Sequence, residues 1–114
     1  MGVTIMRGDA DTERRLKMFG AQGSTSGTDI VSFRKDVSIS TILEETHHIR
    51  QNRSGLNADK DYKLREILNE IDAKKWLLSV AKDYNIPRSE IKETELQLKQ
   101  YLKALELYNK ERSG

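Results

Sequence analysis

The stretch Ser40-Thr41-Ile42-Leu43-Glu44-Glu45-Thr46-His47-His48-Ile49-Arg50-Gln51 decides how the rest of the chain reads. It holds both histidines of the protein and sets Glu44 and His48 four positions apart, with Glu45 between them. Residues i and i+4 of a helix lie one above the other, so these side chains can converge on one point. A helix uses that spacing to supply two ligands to a metal, with an adjoining acid as general base. The same spacing also makes an ordinary surface pair, with the acid toward the N-terminus and imidazole toward the C-terminus as the helix dipole favours. The residues admit both.

The helix containing this stretch is expected over residues 38–54. Ser38 or Ser40 caps it, Thr41 with Glu44 fits a capping box, and Ser54-Gly55 ends it. Its apolar stripe is Ile39, Ile42, Leu43, Thr46 and Ile49. At about 100° per residue, Glu44, His48 and Gln51 fall on nearly the opposite side, which makes Gln51 a surface residue.

Upstream, residues 1–37 read as a β-rich part with one short helix. Val3-Thr4-Ile5-Met6 is β-prone and Arg7-Gly8-Asp9 is a turn. A helix opening at Asp9 or Asp11 carries Leu16, Met18 and Phe19 and stops at Gly20. Residues 22–28, rich in Gly, Ser and Thr, read as a flexible connection. The run Asp29 to Arg34, with Ile30, Val31 and Phe33, is a strand.

Downstream, residues 59–112 read as a helical hairpin. The first helix, about Asp59 to Tyr84, ends before Pro87. It carries one stripe of Leu64, Ile67, Leu68, Ile71 and Leu78 and another of Ala73, Trp76, Leu77, Val80 and Tyr84, so both sides are covered. Ser89 caps the second helix, whose single stripe is Ile91, Thr94, Leu98, Tyr101, Leu102, Leu105 and Tyr108. Trp76 and Tyr101 are core residues on this pattern, and Glu70 is a solvated residue at the edge of the second stripe or a ligand heading it.

A chain of 114 residues is expected to be a single domain, 1–114, with one core. Charged residues at 33 % and a net charge of +2, with acids interleaved among bases, give no nucleic-acid or membrane signal. Arg50, Arg53, Lys60 and Lys63 gather near one loop, but their acidic neighbours make a solvated surface. The absence of cysteine excludes disulfides, Cys-based zinc knuckles and thiol catalysis. No apolar run reaches membrane-spanning length and no signal peptide opens the chain. The expected compartment is therefore the cytoplasm, unless the domain is part of a larger exported or virion-packaged polypeptide.

A strand, a Glu-x-x-His helix and a second helix bearing Glu together resemble zincin-like metallopeptidases whose third ligand is a downstream Glu. The string Leu43-Glu44-Glu45-x-x-His48-x-x-Gln51, followed by Asn69-Glu70-Ile71-Asp72-Ala73, looks like the variant of phage-associated and polymorphic-toxin metallopeptidase domains. The resemblance covers about Asp29 to Leu77. It implies zinc as cofactor, with His48 and Glu70 as ligands and Glu45 as the catalytic base. Glu44 stands where this family has its first His. A carboxylate can bind zinc, but two Glu and one His neutralise the ion and weaken it as a Lewis acid.

The expected fold is thus α+β: a small N-terminal β-portion, a zincin-like active-site helix and a long C-terminal helical hairpin. The expected function is a zincin-like metallopeptidase domain of prophage or toxin context, degenerate at its first ligand, acting on a protein substrate. The alternative is a non-enzymatic helical-hairpin interaction module, a phage structural or regulatory protein that binds a partner protein.

Overall fold

The computed structural model describes residues 2–18 and 20–113, so Phe19 of the expected first helix lies outside the described residues. Among these, three strands and four helices make an α+β fold. They fall into two compact units, residues 1–55 and 56–114.

The first unit runs β1 (Thr4–Arg7), α1 (Ala10–Met18), β2 (Gly23–Ser26), β3 (Ile30–Phe33) and α2 (Ile39–Ser54). β3 is the middle strand. It pairs in parallel with β1, Thr4 opposite Ile30 and Arg7 opposite Phe33, and antiparallel with β2, Gly23 opposite Phe33 and Ser26 opposite Ile30. Side chains alternate across a strand, and β3 uses both faces. Val31 and Phe33 pack with Ile49, Ile42 and Val37, while buried Ser32 takes a hydrogen bond from Arg15 of α1 at 2.7 Å. The sheet is therefore covered by α2 on one face and α1 on the other.

The helix ends follow from local chemistry. Asp9 caps α1, accepting from the Thr12 N–H at 2.8 Å and its hydroxyl at 2.7 Å, which holds the Asp9 carboxyl below the usual range. Ser38 caps α2 by accepting the Thr41 N–H at 3.2 Å, so the cap lies at Ser38, not at Ser40 or Thr41. Gly55 closes α2 in the left-handed conformation, φ 72°, which a side chain would oppose.

Residues 22–28 correct the sequence reading. They contain β2 instead of a flexible connection, because pairing with β3 supplies what the Gly-Ser-Thr composition lacks. The α2 stripe is also narrower than expected. Thr46 is exposed and turns its hydroxyl back to the Ile42 carbonyl at 2.7 Å, and Ile39 is exposed.

The second unit is an antiparallel hairpin of α3 (Tyr62–Val80) and α4 (Arg88–Ser113). Asp61 caps α3 through the Leu64 N–H at 3.0 Å. Ile67, Ile71 and Tyr108 form the core, with Leu64, Leu98, Tyr101, Ala104 and Leu105 packed around them. Ala73 and Leu77, from the second apolar stripe of α3, are also buried, whereas Trp76 is half-buried. The helix stops at Val80, short of the expected Tyr84. Asn85 is left-handed at φ 52°, and Pro87 follows. α4 opens at Arg88, ahead of the expected Ser89 cap, with the Pro87 carbonyl accepting from the Ile91 N–H at 3.1 Å.

Candidate metal-binding helix

α2 places Glu44, Glu45 and His48 on consecutive turns of one helix, all half-buried. Glu70 lies on α3 of the second unit. All three candidates of the first unit thus lie on α2.

The two histidines differ in chemistry although they are adjacent. His48 Nδ1 lies 2.6 Å from Gln51 Oε1. An amide oxygen only accepts, so Nδ1 carries the proton, and in the neutral ring Nε2 holds the lone pair. His47 Nδ1 lies 2.9 Å from Arg50 Nη2. A guanidinium only donates, so there the lone pair is on Nδ1 and is spent on Arg50. A ligating imidazole ordinarily has its other nitrogen donating to an oxygen in this way.

Gln51 corrects the sequence reading. It is 3 % exposed, not a surface residue, and its side chain orients His48. Wheel arithmetic placed it opposite the Ile42 and Ile49 stripe and equated that side with solvent.

Glu45 is held from the sheet. The Thr25 hydroxyl, on β2, donates to Glu45 Oε2 and lies 3.1 Å from the Glu45 backbone carbonyl. Thr25 fell within the supposed flexible connection, so the sequence carried no signal for it.

In the second unit, Glu70 Oε2 accepts from Lys74 Nζ at 3.2 Å, one helical turn on. Lys74 is 3 % exposed and its ammonium also sits 5.6 Å from the centre of the Tyr101 ring. A buried ammonium needs such a counter-charge and ring face, which gives Glu70 a structural task. Its surroundings are not those of a solvated edge residue.

Among the described residues, no group of three or more His, Cys, Asp or Glu side chains is gathered around a common metal position. No helix among them is long and apolar enough to cross a membrane. The chain matches no family model, no curated protein and no solved structure.

Proposed function

We propose that α2 is the zinc-binding helix of a zincin-like metallopeptidase domain, of the kind carried by phage-associated or toxin proteins. The observation that carries this reading is the hydrogen bond between His48 Nδ1 and the Gln51 amide oxygen, the kind of partner a ligating imidazole has on its other nitrogen. α2 carries two donors of the kind that a divalent transition ion takes, one imidazole nitrogen and one carboxylate at i, i+4. His48 and Glu44 would hold zinc. Zinc bound there would polarise a peptide carbonyl and acidify a water. Glu45, held by Thr25, would be the base that takes up a proton from the attacking water and returns it to the leaving amine.

Calorimetric titration with zinc tests the proposal. His48→Ala should abolish binding and His47→Ala should preserve it, since the His47 lone pair already serves Arg50. Glu45→Gln should keep zinc but lose hydrolysis of a casein probe. Equal zinc affinity in wild type and His48→Ala would defeat the reading.

One observation favours the alternative, a hairpin module without catalysis. The Glu70–Lys74 ion pair explains both residues structurally, without a metal. Under that reading Glu70→Gln lowers stability and leaves zinc affinity unmoved.

A further inference from the structure

We draw no further inference here: the strongest candidate, the exposed surface of α4 on which Leu96 and Leu107 stand beside Lys92, Lys99 and Lys103, carries nothing because Glu93, Glu95 and Glu106 interleave with those lysines along the helix and nothing in the structure shows what covers it.

Discussion

The phenol of Tyr108 donates a hydrogen bond to the carboxylate of Asp61, 47 positions earlier in the chain. The same carboxylate caps α3 through the Leu64 N–H, so one acid both starts the first helix of the hairpin and ties down the far end of the second. Arg112 completes the group, 4.0 Å from Asp61 and 5.6 Å from the centre of the Tyr108 ring.

Asp61→Ala removes the cap and the tie together, whereas Tyr108→Phe removes the tie alone. Both should lower Tm, Asp61→Ala by more. In the Asp61→Ala background, Tyr108→Phe should cost less than it does in wild type. Equal effects in the two backgrounds would show that the bond contributes nothing.

The same pair gives the hairpin a pH dependence of known sign. The Tyr108 hydroxyl, followed by the Leu64 N–H, holds the Asp61 carboxyl below the usual range. Its stabilisation is complete above the unfolded value of about 3.9 and is lost as pH falls through the folded one. The bond to Asp61 raises the Tyr108 phenol. That contribution is complete below about pH 10 and is lost as pH rises through the raised value. Urea midpoints of wild type and Asp61→Asn should therefore differ most near neutrality and converge in acid.

Ile49 is 3 % exposed in the core beneath the sheet, whereas Ile39 on the same helix is 38 % exposed. Ile49→Ala should cost about 2–5 kcal/mol, and Ile39→Ala about 0.5 kcal/mol. Denaturant melts separate these values cleanly.

Gly23→Ala forces its new methyl against Thr41 Cγ2 at 3.0 Å, Phe33 Cδ1 at 3.1 Å and the Ser32 carbonyl at 3.2 Å. The phenyl ring and the sheet backbone have little freedom to yield. A loss of about 1–3 kcal/mol is expected in a denaturant melt.

Glu44→His bears on the proposed site directly. It removes a negative charge and adds a second imidazole at i, i+4 from His48. Zinc affinity by calorimetry should rise. Under the surface-pair reading the change alters stability by about 0.5 kcal/mol or less and leaves zinc affinity where it was.

The helices were legible because their ends are chemical. Ser38, Gly55 and Pro87 mark boundaries in any sequence, and the stripe from Leu98 to Tyr108 repeats with helical spacing. β2 was illegible because Gly23-Ser24-Thr25-Ser26 has no alternating apolar pattern, and only its partner β3 makes it a strand. The two extra residues at the candidate helix were hidden for different reasons. Gln51 stands three positions from His48, a spacing that can be read, but a wheel with one apolar stripe assigned it to solvent. Thr25 reaches from β2 to Glu45 on α2, and no local pattern encodes that. The burial of Lys74 depends on Tyr101 and Glu70 being placed around it, which no local pattern encodes.

The middle strand of the sheet is the last of the three to be synthesised. On a nascent chain, β1 and β2 emerge with no neighbour to bond to, and only residues 30–33 turn them into a sheet. β2 and β3 can zip first across the short turn at Gly27, while β1 must wait to close the longer loop through α1. A chain halted just before Ile30 holds two orphan strands, and one carried four residues further, through Phe33, holds every backbone partner of the sheet.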